Sequence, residues 1–187
     1  MSQTDRRKVF VCYHHDKDQK YKNQFVRMMG DDIVDKSVED GDIDPNIKTE
    51  TTRQKIRDDF IADATVTVVL IGPCTWQRKH VDWEIGSSLR KTKKNSRCGL
   101  LGILLPNHPD FKKETYRSRL IPPRLADNCK GDDPYACIYD WPGQQATDQI
   151  RKWIHKAFKR RDATPPDNSR DQFGRNRTGS CSDGWSY

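Results

Sequence analysis

Apolar residues along this chain recur with two periods. Lys8-Val9-Phe10-Val11-Cys12-Tyr13 is a short apolar run of strand length, and the polar turn His14-His15-Asp16-Lys17-Asp18 follows it. Asp16 or Asp18 is the candidate helix cap in that turn. Tyr21, Phe25, Met28 and Met29 then recur at i, i+4, i+7 and i+8, predicting an amphipathic helix that ends at Gly30. Ile33 to Val38 reads as a weaker strand. Ile56, Phe60 and Ile61 mark the next helix, with Thr51 or Thr52 as cap. Thr65-Val66-Thr67-Val68-Val69-Leu70-Ile71-Gly72 is β-branched and apolar throughout, as a strand buried on both faces reads. Val81, Ile85, Ser88 and Leu89 return to helical spacing. Gly99 to Leu105 predicts a fourth strand stopped by Pro106, and Tyr135 to Asp140 a fifth. Between them, residues 107–134 carry Pro109, Pro122, Pro123 and Pro134 and predict an irregular excursion. Ile150, Trp153, Ile154, Ala157 and Phe158 predict the last helix.

Strands that alternate with helices imply a parallel sheet joined by right-handed crossovers. The economical expectation is an α/β fold: a flavodoxin-like, doubly wound parallel sheet of about five strands with helices on both faces. The domain is expected over residues 1–161. Residues 162–187 are Gly, Pro, Ser, Asn, Asp and Arg with little apolar content, and are expected to be a disordered polar tail. Phe173, Trp185 and Tyr187 in that tail read either as a short docking motif or as part of an inert extension.

One carboxylate stands out. At about 100° per residue, Glu84 falls on the edge of the inward stripe of its helix, while Trp83 points almost the opposite way. Trp83 is therefore expected on the surface, partly covered or in a protein interface. Glu84 lies just past the carboxyl end of the strand 65–72, where open α/β sheets place ligands. Phe10, Tyr13 and His14, at the end of the first strand, approach it if strands one and three flank the sheet centre. The chain has no GxGxxG, no GxxxxGK[ST] and no GxSxG. Asp82 and Glu84 are two apart on a helix and cannot face each other as a paired-acid site. A lone carboxylate suits cleavage of a nicotinamide N-glycosidic bond, because the leaving group already carries positive charge and the transition state is an oxocarbenium ion. The same carboxylate equally suits holding ribose hydroxyls. A salt bridge to Arg78 or Lys79, or an outlet to solvent at the edge of the stripe, stays open as the alternative.

Charge changes this picture little. The 187 residues carry a net charge of +7, with basic residues clustered in Arg90 to Arg97 and Lys152 to Arg161. No aromatics interleave the first cluster, so nucleic acid is not an expected partner. The second closes a helix, where cations complement the dipole. Six cysteines show no CxxC and no regular framework, which fits a reducing cytoplasm. The acidic segment Glu39 to Asn46 lacks the closing Glu of a calcium loop, no zinc-ligand spacing occurs, and no metal is expected. No apolar run approaches the ~20 residues of a membrane span.

The blocks Lys8-Val9-Phe10-Val11-Cys12-Tyr13-His14-His15, Asp35-Lys36-Ser37-Val38 with Gly41-Asp42-Ile43, and Lys55-Ile56-Arg57-Asp58-Asp59-Phe60-Ile61 resemble successive segments of the Thoeris ThsB TIR-like family. So do the strand 65–72 and Arg78-Lys79-His80-Val81-Asp82-Trp83-Glu84-Ile85. The likeness keeps its order from Lys8 to Leu105 and weakens in Ile121 to Leu125 and Ile138 to Trp141. Cys12 departs from the pattern, standing where many TIR sequences have Ser.

The resemblance implies a cytoplasmic TIR domain of antiphage defence. Such a protein responds to a phage-derived trigger by converting NAD, as substrate and not as a resident cofactor, into a signalling nucleotide. The nucleotide is a cyclic ADP-ribose isomer or a histidine conjugate of ADP-ribose, and it activates a ThsA-type effector. The resemblance carries the catalytic role onto Glu84 and a pocket role onto Phe10; Tyr13 and His14 join as substrate-binding residues by proximity. It also implies homo-oligomeric assembly. A non-catalytic TIR interaction module and a plain NAD glycohydrolase are the alternatives.

Overall fold

The computed structural model describes residues 6–34 and 48–186. The chain runs β1 (Val9–Cys12), α1 (His15–Met29), β2 (Ile33–Val34), α2 (Thr49–Lys55), β3 (Val66–Ile71), α3 (Lys79–Ser88), β4 (Gly99–Leu104), α4 (Pro123–Asp127), β5 (Ala136–Asp140) and α5 (Thr147–Ala163). The five strands form one sheet in the order β2-β1-β3-β4-β5, and every neighbouring pair is parallel. This is the flavodoxin-like arrangement expected from the alternation of strands and helices. All residues of β1, β3 and β4 are buried, which is why their sequences read as continuous apolar runs and not as alternating ones.

Side-chain alternation divides the core in two. Phe10, Cys12, Val69 and Ile71 join Val81, Trp83 and Ile85 of α3 and Leu125 of α4 on one face. Val9, Val11, Tyr13, Val68 and Leu70 join Tyr21 and Phe25 of α1 and Ile150 and Ile154 of α5 on the other. Successive strand residues point to opposite faces, so neighbours in the sequence serve different cores.

Local boundaries depart from the sequence reading in instructive ways. Neither Asp16 nor Asp18 caps α1; His14 takes the cap position with an extended backbone. Asp18 is wholly buried and accepts hydrogen bonds from Asn107 Nδ2 at 2.9 Å and from Thr75 Oγ1 at 3.4 Å. Thr51 and Thr52 lie inside α2, whose cap position is Lys48, and the helix widens into a π turn over Ile56–Phe60. Arg57 stitches that turn to the carbonyls of Ile61, Ala64 and Ser96. The weak strand foreseen over 33–38 is described only as Ile33–Val34, and the remainder, with the acidic segment 39–46, lies outside the described residues. In the excursion 107–134, Asp110 gathers the loop by accepting from the Arg117 backbone N–H and guanidinium and from Lys113 Nζ.

The largest difference concerns the C-terminal segment. Expected to be disordered from residue 162, it instead continues α5 to Ala163 and then runs as an irregular strap over α3 and α4. Phe173 and Trp185 are 9% and 6% exposed. Phe173 accepts through its carbonyl from Trp83 Nε1 at 2.7 Å, and Trp185 donates from its indole to Ile121 O at 2.8 Å. Low apolar content concealed this docking, because the strap is held by hydrogen bonds and two aromatic anchors instead of by a periodic apolar stripe. Cys181 and Cys74 are joined as a disulfide, their Cα atoms 4.7 Å apart, a pairing their spacing of 107 residues did not suggest.

Candidate active site

Glu84 is carried by α3, and every residue from His80 to Ser88 on that helix is buried. A helix buried all round needs partners on every side, and here each side has a different one. Val81 and Ile85 face the sheet, as their spacing predicted. Asp82 turns toward α4, where its carboxylate takes a two-pronged ion pair from Arg124 Nε at 3.0 Å and Nη2 at 3.3 Å. Trp83, expected on the surface, is instead buried at 9% exposure and donates its indole N–H to the strap that covers it. Glu84 is 1% exposed and turns toward the carboxyl end of β1. Asp82 and Glu84 therefore serve different surroundings, as their separation of two required.

The group that Glu84 meets on β1 is Cys12. The Cys12 thiol is pushed well above its ordinary pKa, first by burial and then by the negative charge of Glu84 and a hydrogen bond to its carboxylate. Cys12 is therefore a neutral donor to Glu84. The departure from Ser at this position keeps a donor in place, since a thiol supplies one hydrogen as a hydroxyl does.

Of the other residues singled out in the sequence, Phe10 is wholly buried in the same core as α3, two residues before Cys12 on the same side of β1. His14 continues that alternation beyond the strand. It is 5% exposed, and its pKa is lowered to about 4, chiefly by burial and next by the positive charge of Arg78, at the start of α3. Its Nδ1 is buried and has no hydrogen-bond partner among the described residues. A buried ring nitrogen left without a partner is uncommon. Tyr13 does not join them. It lies on the opposite face of the sheet, donates its hydroxyl to Gln19 Oε1 at 2.9 Å and sits 4.5 Å from the His15 ring. The period of two within β1 sends Tyr13 to the α1 side, so proximity in sequence to Phe10 and His14 misplaced it.

The turn after β3 packs against the start of α1. Gly72 N donates to Thr75 Oγ1 at 2.9 Å, and the Asp18 carboxylate occupies the space a side chain at residue 72 would need. Only glycine fits there, which brings the start of α1 against the end of β3.

A five-stranded parallel sheet in this order, with a buried carboxylate on the helix after its central strand, defines a flavodoxin-like α/β domain of the TIR-like class. Residues 10–110 match the family described as Thoeris protein ThsB, TIR-like domain, and the chain belongs to that family. No curated protein matches the chain. The matched span runs from Phe10 through Glu84 to Asp110, so it contains β1 from its second residue, β3, α3 and the site but stops before the strap.

Proposed function

We propose that this protein is an NAD-processing enzyme of Thoeris-type antiphage defence, with Glu84 as its catalytic residue. Its substrate is NAD, its bond of action is the nicotinamide N-glycosidic bond, and its product is an ADP-ribose-derived signalling nucleotide. The observation that carries this reading is the setting of Glu84: a carboxylate at the carboxyl end of the sheet, hydrogen-bonded by Cys12. The unpartnered Nδ1 of His14 supports a ligand at the same end.

The chemistry follows from charge. Nicotinamide leaves as a neutral ring from a cationic linkage, so no general acid is needed. Positive charge develops on the ribose as the bond lengthens, and a preorganised carboxylate stabilises it. Phe10 closes the apolar wall behind Cys12, and His14, neutral above about pH 4, offers a polar contact without repelling the developing cation. Capture of the ribosyl group by the adenine ring of the same molecule yields a cyclic isomer, capture by histidine a conjugate, and capture by water plain ADP-ribose. The nucleotide then activates a ThsA-type effector after a phage-derived trigger, in the cytoplasm and from a homo-oligomeric assembly. Among the described residues no helix is long and apolar enough to cross a membrane.

The test is incubation with NAD in phage-infected lysate, wild type beside Glu84→Ala, followed by mass spectrometry of the nucleotides. The enzyme reading expects a product in the first and its loss in the second. Free ADP-ribose as the sole product identifies a plain glycohydrolase. Equal NAD turnover in both removes Glu84 from the chemistry. The second reading is a TIR interaction module without catalysis, favoured by the 1% exposure of Glu84, and absence of turnover in every lysate supports it.

A further inference from the structure

The C-terminal strap lies beyond the segment that matches the family, yet it covers the helix that carries Glu84. Four backbone N–H groups record its docking, the first being Asp167 N, which donates to Asn128 Oδ1 at 2.9 Å. Phe173 N donates to Asp82 Oδ2 at 3.0 Å, Arg177 N to Gln77 O at 2.8 Å, and Trp185 N to Arg119 O at 2.9 Å. Asn176 Oδ1 accepts from Lys79 N at 2.9 Å in the first turn of α3. Few of its side chains are buried, so apolar burial alone holds the strap weakly. Its one covalent tie is Cys74–Cys181, which joins the strap to the turn after β3. Closing so long a loop removes much entropy from the undocked state.

The surroundings of this bond are asymmetric. Cys74 is 1% exposed, whereas Cys181 is partly open to solvent. Lys17 places its ammonium 3.0 Å from Cys74 Sγ and 3.5 Å from Cys181 Sγ. An incoming thiolate therefore reaches Cys181 first. The sulfur it expels is Cys74, and a nearby cation stabilises that departing thiolate. The other four cysteines remain free, so this pair alone is oxidised.

We propose that Cys74–Cys181 is a thiol–disulfide exchange site, opened by a dithiol reductant that attacks Cys181 and expels Cys74 beside Lys17, and that its opening frees the strap from α3. One donor thiolate forms a bond to Cys181 Sγ as the Cys74–Cys181 bond breaks and its electron pair leaves on Cys74. The donor's second thiolate then attacks its own sulfur in the mixed disulfide and expels Cys181. The protein gains two electrons, the donor ends as a disulfide, and the two donor protons pass to the cysteine sulfurs or to solvent. Exchange with a small-molecule disulfide reverses the sequence. That release of the strap exposes the catalytic helix rests on the reading of Glu84; the exchange itself does not.

The experiment uses the full chain with dithiothreitol as the dithiol. Alkylation in denaturant without reductant is expected to label four cysteines, and after reduction six; six without reductant after mild oxidation overturns the proposal. Hydrogen exchange at the amides of Phe173, Arg177 and Trp185 is expected to quicken at least tenfold on reduction, while β3 amides hold. Cys181→Ser should match reduced wild type under both conditions. Unchanged exchange at those three amides means the bond is no latch. Lys17→Met is expected to slow reduction at least threefold, and an unaltered rate removes Lys17 from the step. NAD turnover is read separately in oxidised and reduced protein. If the exchange results hold while neither form cleaves NAD, the latch stands and the enzyme reading fails.

Discussion

Asp82 and Arg124, on different helices and both almost fully buried, form a two-pronged ion pair with Nε–Oδ1 at 3.0 Å. The pair is also where the strap attaches. Asp82 Oδ2 accepts from Phe173 N, while Arg124 donates onward to Asn168 Oδ1 and to Asp171 O. One carboxylate thus fastens α3, α4 and the C-terminal segment at a single point. Removing one member leaves the other charged and dry, at a cost of about 3–5 kcal/mol. Asp82→Ala is expected to lower stability by that amount in urea unfolding and to quicken hydrogen exchange at Phe173. Asp82→Ala combined with Arg124→Met should recover part of the loss, since the Arg124 charge that Asp82 paired is removed with it.

Cys12 offers a prediction on the site itself. Its thiol donates to Glu84, and a hydroxyl at the same place can do so too. On the proposed reading of Glu84, Cys12→Ser is expected to retain NAD cleavage within a few-fold of wild type. Cys12→Val removes the donor at similar volume, and is expected to lower turnover at least tenfold. Parallel unfolding curves check that the loss is not merely instability.

Gly72 and Asp18 are coupled by space. A Cβ at residue 72 falls on the Asp18 carboxylate, so Gly72→Ala is expected to cost about 1–3 kcal/mol from overpacking. In the double variant with Asp18→Ala the two costs should not add, because the second change opens the space that the first fills. Additive losses would show that the strain at residue 72 comes from elsewhere.

Acid sensitivity follows from His14 and His108. Burial, with Arg78 next, lowers His14 from its ordinary 6.5 to about 4. Burial also lowers His108, opposed by its bond to the Leu120 carbonyl. As pH falls below 6.5, the unfolded chain binds these protons before the folded one does. Stability is therefore complete above 6.5 and declines toward pH 4. Asp18 opposes this trend, since burial raises its pKa in the folded state. Asp110 acts in a lower window: burial pulls its carboxyl up, but the bonds from Arg117 and Lys113 outweigh it and hold it well below the usual range. Urea midpoints measured from pH 7 to 4.5 are expected to fall less in His14→Gln than in wild type.

How much of this was legible depended on whether a residue's partner was local or distant. The strands β1, β3 and β4 and the helices α1, α3 and α5 announce themselves by period, because burial of one face or two imposes it on neighbouring residues. Glu84 was legible for the same reason: helical spacing puts it at the inward edge of α3. Tyr13 was misjudged because nearness in sequence stood in for side of the sheet, and a single residue reverses that side. The buried role of Asp18 was hidden because Thr75 and Asn107, which satisfy it, lie 57 and 89 residues away.

By itself the sequence determined the alternating α/β order, the parallel sheet and the placing of an acid at its carboxyl end, since each rests on patterns over a few turns of chain. Only the tertiary structure decided what covers α3. The strap has no period to betray it: it is held by backbone N–H groups meeting Asp82, Gln77 and Arg119, by side-chain bonds such as Arg170 to Asp127 and Arg124 to Asn168, by two aromatic anchors, and by a disulfide to a cysteine 107 residues earlier. Such contacts depend on where the chain returns in space, which local hydrophobic pattern does not encode.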